Sequence, residues 1–304
     1  MADLKNSKRS YDLLLKNLEN RPEAFRDDEY DVYFKDSVFQ EEIISKMFLE
    51  DLDSYGKGAG GELKEHKNES GKIQPASMSS VGSSSRFCYL SLKDTDFKAF
   101  EITNIKKRRV FEQKLPIVKG TPPHMDCYVE CENELCFFEC KCHEQFDSHD
   151  ISLSESYFDK DRIVTKIPER FILERHKAIK VKNIISYQNV ISPKAFGVDE
   201  NPRFDIKQFL THIMGIEARQ NKVFKSEKKI IPARLIYFYF IPDSVINLNT
   251  DIKMVIDQLY KEVSTVFNHR IIKDNVKNIT FEMYIQFSDH AEMASKTNVR
   301  RIKL

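Results

Sequence analysis

Apolar residues along this chain follow two spacings, and the alternation between them predicts a mixed α/β protein. Tyr11, Leu14, Leu15 and Leu18 recur at helical spacing, as do Phe39, Ile43, Ile44, Met47 and Phe48, so residues 1–54 read as an N-terminal helical region. Phe204 to Glu217 repeats the pattern through Ile206, Phe209, Leu210, Ile213 and Met214. Asp251 to Phe267 carries it through Ile252, Val255, Ile256, Leu259, Val263 and Val266. Short strand-like runs lie between them: Arg86 to Leu92, Arg109 to Gln113, His124 to Cys131 and Leu135 to Cys142. Ala233 to Ile241 is nearly all apolar, as expected of a central strand covered on both faces. Ile279 to Phe287 alternates strictly and predicts a half-exposed strand.

Two stretches break the pattern. Tyr55 to Ser85 is rich in glycine, charge and serine, which favours loops, and Asp150 to Gln188 is polar with scattered apolar residues. The expected organisation is a helical region over 1–54 and one α/β domain over 55–304, in which a helix and a strand extend the C-terminal end. Its mixed sheet would take in the Arg86 strand, the 124–142 hairpin and the 233–241 strand.

Composition narrows the class. The chain has 304 residues and is 41% hydrophobic, enough apolar surface to offset the entropy of ordering a sizeable core. No apolar run approaches the roughly 18 residues of a membrane span, and the N-terminus is too polar for a signal peptide. The expectation is a cytoplasmic protein with no membrane partner. With 48 basic and 47 acidic residues there is no global field to draw in a polyanion, so any nucleic-acid site must be a local patch. Lys106-Lys107-Arg108-Arg109 is one candidate patch, against the ordinary reading of such a run as a solvated loop.

The candidate chemistry sits in the hairpin. On a strand, Glu139 and Lys141 project from one face while Phe138, Cys140 and Cys142 project from the other. A two-residue turn at Asn133-Glu134, or a four-residue loop over Glu132 to Leu135, places Asp126 opposite Lys141 and Tyr128 opposite Glu139. Asp126, Glu139 and Lys141 then converge. A three-residue loop without a bulge would instead turn Asp126 to the far face. Two carboxylates beside an ammonium suit phosphodiester hydrolysis. Oxygen ligands hold Mg²⁺, the metal acidifies water and offsets phosphate charge, and the ammonium orients the nucleophile. An isolated Glu-x-Lys pair on a strand is usually only a solvated ion pair; the upstream Asp126 and the apolar strand favour the site.

The stretch PPHMD ending at Asp126, followed by Glu139-Cys140-Lys141 in an apolar strand, resembles the signature of the PD-(D/E)XK nuclease superfamily, the fold of many restriction endonucleases. GGELK at 60–64, SSSRFCYL at 83–90, FEQKLP at 111–116, CHEQF at 142–146 and FDIKQFLTHIMGI at 204–216 look, in that order, like a bacterial group of restriction-endonuclease-like proteins. The resemblance implies a restriction-endonuclease-like core, a mixed β-sheet flanked by α-helices. It also implies Mg²⁺-dependent cleavage of DNA, with Mn²⁺ as a substitute ion. It makes Asp126 and Glu139 metal-binding carboxylates, the Cys140 carbonyl a further ligand, and Lys141 the catalytic lysine. Glu62 would be an acidic ligand on a helix preceding the sheet, although the glycines around it disfavour that helix. Gln208 would be a supporting glutamine on the helix after the lysine strand. The tyrosine often found four residues later is replaced by His212, for which a structural role beside the buried stripe is the expectation. A homodimer on two-fold-symmetric DNA and a cognate methyltransferase are the implied partners. The alternatives are a repair or RNA-directed nuclease, a catalytically inactive nucleic-acid-binding module, and a zinc-organised module.

Five of the six cysteines crowd between Cys127 and Cys142. With His124 and His143 they offer ligands for zinc, but their spacing departs from a standard knuckle and the strand faces suit small apolar thiols, so buried free thiols are expected. The stretch SSVGSSS lacks a Walker lysine. Its hydroxyls and amides either border the metal site or simply cap the first strand.

Overall fold

The computed structural model describes residues 11–13, 15–17, 21–27, 32–57, 61–67, 71–93, 97–117, 122–149, 151–154, 157, 177–181, 184–242, 250–286 and 299–302. Residues 11–13 and 15–17 are helical; Leu14 and Leu18 of the first apolar stripe lie outside the described residues. Among the described residues three further helices precede the sheet: α1 (Asp36–Glu42), α2 (Leu49–Gly56) and α3 (Ser84–Leu92). The central sheet follows, with β1 (Ile105–Lys114), β2 (His124–Cys131), β3 (Leu135–Lys141), β4 (Ala233–Phe240), β5 (Ile279–Gln286) and β6 (Val299–Ile302). These six strands lie side by side in chain order.

The first three strands form an antiparallel meander, β4 runs parallel to β3, β5 parallel to β4, and β6 antiparallel to β5. Each parallel step requires a crossover long enough to return the chain. The first crossover contains α4 (Ile206–Glu227), and the second contains α5 (Thr250–Asn268) and α6 (Arg270–Asn275). The protein is therefore mixed α/β, with a mixed sheet flanked by helices. A separate three-stranded sheet, Ser152–Ser154, Ile184–Val190 and Lys177–Val181, falls in the polar stretch, most of which lies outside the described residues.

Strand alternation sends the two faces of the sheet to different helices. On one face Phe138 packs against Phe97 and Phe100, at ring separations of 5.8 and 5.0 Å, and Phe87 of α3 meets Phe238 at 4.8 Å. On the other, Phe204 meets Tyr237 at 5.2 Å, and Phe209 of α4 lies 5.2 Å from Phe267 and 5.1 Å from Phe281. Glu139 and Lys141 share this second face.

Three expectations are corrected. Arg86 to Leu92 is helix, not strand: Ser83 accepts the Arg86 amide at 3.1 Å as N-cap. Arg86, Phe87, Cys88, Tyr89, Leu90 and Leu92 of this helix are all buried. A helix covered almost all round has no stripe to distinguish it from a buried strand. The basic run at 106–109 belongs to β1 and is not a loop. Lys106 and Lys107 lie 3.6 and 3.5 Å from Glu130, and the buried Arg109 pairs with Asp51 at 3.0 Å. The alternating strand β5 is buried on both faces from Glu282 onward, because β6 covers its outer edge and Arg234 neutralises Glu282 at 2.7 Å; Phe287 lies outside the described residues. Among the described residues no helix is long and apolar enough to cross a membrane.

Candidate active site on the β2–β3 hairpin

The hairpin turn sets the site. Cys131 donates its amide to the Glu134 carbonyl at 3.0 Å, so the two-residue turn is Glu132-Asn133, and Cys127 pairs with Phe138 and Tyr128 with Phe137. Continuing this register places Asp126 opposite Glu139, not opposite Lys141 as expected. A slip of two residues keeps side-chain parity, so Asp126, Glu139 and Lys141 still share a face.

The contacts are direct for three of the four proposed catalytic side chains. Lys141 Nζ donates to Glu139 Oε1 at 2.7 Å and to Gln208 Oε1 at 2.7 Å. Gln208 is delivered by the first turn of α4, where Asp205 caps the helix by accepting the Gln208 amide at 2.8 Å. Asp126 Oδ2 accepts the Cys140 amide at 2.6 Å, which pins it beside the Glu139–Lys141 segment. Glu139 and Lys141 are buried, at 2% and 8% exposure, whereas Asp126 and Gln208 are partly exposed and open the site to solvent.

Two further groups belong here. His212, one helical turn after Gln208, donates Nε2–H to the His124 carbonyl at 3.0 Å and lies 3.7 Å from Glu139 Oε2. Glu112 was not singled out from the sequence. It sits between the pairs Phe111–Cys127 and Gln113–Met125, hence opposite Asp126, and its Oε2 is 3.2 Å from His124 Nδ1. Its φ of 49° is left-handed backbone in a non-glycine residue, a local cost that recurs at functional sites. Only the Glu in FEQK marked it in the sequence, because β1 carries bulges that make its facing illegible from alternation.

The electrostatics follow from burying acids together. Burial raises the Asp126 pKa, and the carboxylates of Glu139 and Glu112 push it further up. Burial lifts Glu139 to about 7 although Lys141 opposes the shift. Burial alone would lower the Lys141 pKa, but Glu139, Glu144 and Asp126 outweigh it, so the ammonium stays charged. Burial would also raise Glu144, yet Lys141 and His143 hold it down to about 2. For His212, burial first and Lys141 second depress the pKa to about 3, which keeps the ring neutral.

This donor set has the chemistry of a hard divalent-cation site: Glu112, Asp126 and Glu139 supply carboxylates from three adjacent strands, and Glu139 Oε2 is buried without a hydrogen-bond partner. Their oxygens do not all lie within 4.8 Å of one another, so an ion held by all three would require the side chains to draw together. A cation there would offset the mutual repulsion that raises Asp126. Cys140 contributes only main chain to this face, since its thiol pairs with that of Cys88 on the other. Glu62 is not on a helix: residues 62–64 form a bend, and the Glu62 carbonyl accepts the Met78 amide at 3.0 Å.

All six cysteines are free and buried. The serine stretch caps α3 and not a strand. Its Ser84 donates to Glu144, and Ser77, Ser80, Ser83 and Ser84 line a cavity of about 270 Å³ beside His143. No family model matches this chain, and neither a curated protein nor a solved structure matches it.

Proposed function

We propose that the protein is a metal-dependent nuclease with a restriction-endonuclease-like core, which hydrolyses DNA phosphodiester bonds. The observation that carries the reading is the Lys141 ammonium, 2.7 Å from both Glu139 and Gln208, with Asp126 bound to the intervening Cys140 amide. Asp126, Glu139 and the Cys140 carbonyl are the groups that would hold Mg²⁺ or Mn²⁺, with Glu112 facing them. Bound there, the ion would offset phosphate charge and acidify water. Lys141 stays protonated, so it acts as a donor that orients the attacking oxygen and stabilises charge developing on the phosphate, not as a base. Gln208 fixes the ammonium in that position. Restriction of foreign DNA, a homodimer and a methyltransferase partner belong to the same reading.

The test is Mg²⁺-dependent nicking of supercoiled plasmid, with single-stranded DNA and RNA as parallel substrates. Parent protein should cut duplex DNA, and Glu139→Ala and Lys141→Ala should each lose at least about 100-fold, the usual cost of removing one transition-state donor. Equal cutting by all three preparations, or cutting that survives metal removal, rejects the proposal. Preference for RNA would reassign the substrate.

A further inference from the structure

We propose that Cys131, Cys136 and Glu134 form a second metal site, at the opposite end of the hairpin, for a thiophilic divalent ion such as Zn²⁺. One sulfur from each cysteine and one oxygen of Glu134 all lie within 4.8 Å of one another. Tetrahedral zinc with Zn–S bonds of about 2.3 Å needs sulfurs about 3.8 Å apart, a separation within the 4.8 Å that bounds these ligand atoms. The two cysteines are separated by four residues and flank the tight Glu132-Asn133 turn, a spacing that wraps an ion. Both are buried, while Glu134 is half-buried and leaves the fourth position to water.

Charge placement agrees with this set. Two thiolates and a carboxylate around a divalent ion leave one net negative charge. Arg234, which also pairs with Glu282 at 2.7 Å, borders the site with Nη1 3.6 Å from Glu134 Oε1. The site is distinct from the Lys141 cluster. Cys136 faces the α3 side of the sheet and lies five residues up β3 from Lys141, about 17 Å at strand rise. Its consequence is structural: the ion would clamp the turn whose register sets Asp126 against Glu139.

The test is Co²⁺ titration of the phosphine-reduced, metal-stripped full chain. One equivalent should bind with a thiolate-to-cobalt charge-transfer band, which an oxygen-only site does not give, and excess Mg²⁺ should not displace it. Cys131→Ser and Cys136→Ser should each abolish the band, and Cys88→Ser should leave it intact. Glu134→Gln should weaken binding by at least about tenfold, since even an outer-shell partner is worth that much. Zn²⁺ should raise the melting temperature of the parent, reversibly with chelator, and leave that of Cys131→Ser unchanged. Absence of a stoichiometric end point in the parent overturns the site whatever the variants do. So does a band that survives both cysteine substitutions, or full affinity in Glu134→Gln.

Discussion

Glu139 carries one proton too many for a metal ligand until the pH reaches about 7. Its folded pKa lies above the ordinary 4.5, so in the metal-free protein the protonated acid favours the fold. That contribution is full below about 4.5 and is lost as the pH climbs through about 7. Metal binding must displace the same proton. Mn²⁺ affinity should therefore rise by at least about tenfold per pH unit below that point, since Asp126, whose pKa is raised too, must lose its proton as well. Calorimetry across the range checks this, and a flat profile would remove Glu139 from the ligand set. His212 has the opposite sign. Its folded pKa of about 3 lies below 6.5, so the stability it confers as a neutral ring is present above 6.5 and is lost as the pH falls toward 3. His212→Gln keeps a donor toward the His124 carbonyl and should flatten the acid limb of stability, read by urea denaturation at a series of pH values. The imidazole shifts of His212 should show no titration near 6.5. At this scale the sequence was informative about residue type and parity: Asp126, Glu139 and Lys141 could be chosen because strand alternation assigns faces, whereas Gln208 was implied only by the family resemblance. Glu112 and the second acid's true partner could not, since a bulge and a turn position are set by backbone geometry that residue identity does not encode.

The element that decides whether Lys141 is held is α4, and its approach to the sheet depends on Gly215. A Cβ at that position would lie 2.5 Å from Leu115 Cβ, just beyond β1, so the helix backbone must rest directly on this leucine. Gly215→Ala should lower stability by about 1–3 kcal/mol despite the better helix propensity of alanine, because overpacking has no free volume to use. The denaturation midpoint should fall with the slope unchanged. Plasmid nicking should fall as well, because Gln208 lies two turns away on the same helix; a variant as stable as the parent would show that Leu115 can yield. The contrast with α3 explains which elements were legible. α4 and α5 expose one polar flank each, so their stripes show in the sequence, whereas α3 is buried on nearly every side and its apolar run reads as strand until Ser83 is seen to cap it.

At the scale of the molecule, the N-terminal residues and the sheet belong to one core. Tyr11 is fully buried, its hydroxyl donates to the Phe240 carbonyl at 2.9 Å, and its ring lies 5.0 Å from Phe146. Asp12 lies 3.6 Å from His143, two residues beyond Lys141, so the start of the chain also braces the segment that leaves the site. A polar N-terminus separated from the sheet by a hundred residues gives no sequence sign of this closure, since pairing across that distance leaves no local pattern. If the two regions were independent, Tyr11→Ala would loosen only the N-terminal one, and calorimetry would show two transitions with the second unchanged. A shared core demands another outcome. Tyr11→Ala should lower a single cooperative transition by about 3–5 kcal/mol, the cost of emptying a buried aromatic position. Tyr11→Phe should lower the same transition by about 1–3 kcal/mol, because the Phe240 carbonyl loses its partner. Metal-dependent nicking by Tyr11→Phe, measured well below its transition, should stay near the parent level, because the hydroxyl braces the fold without reaching Glu139 or Lys141.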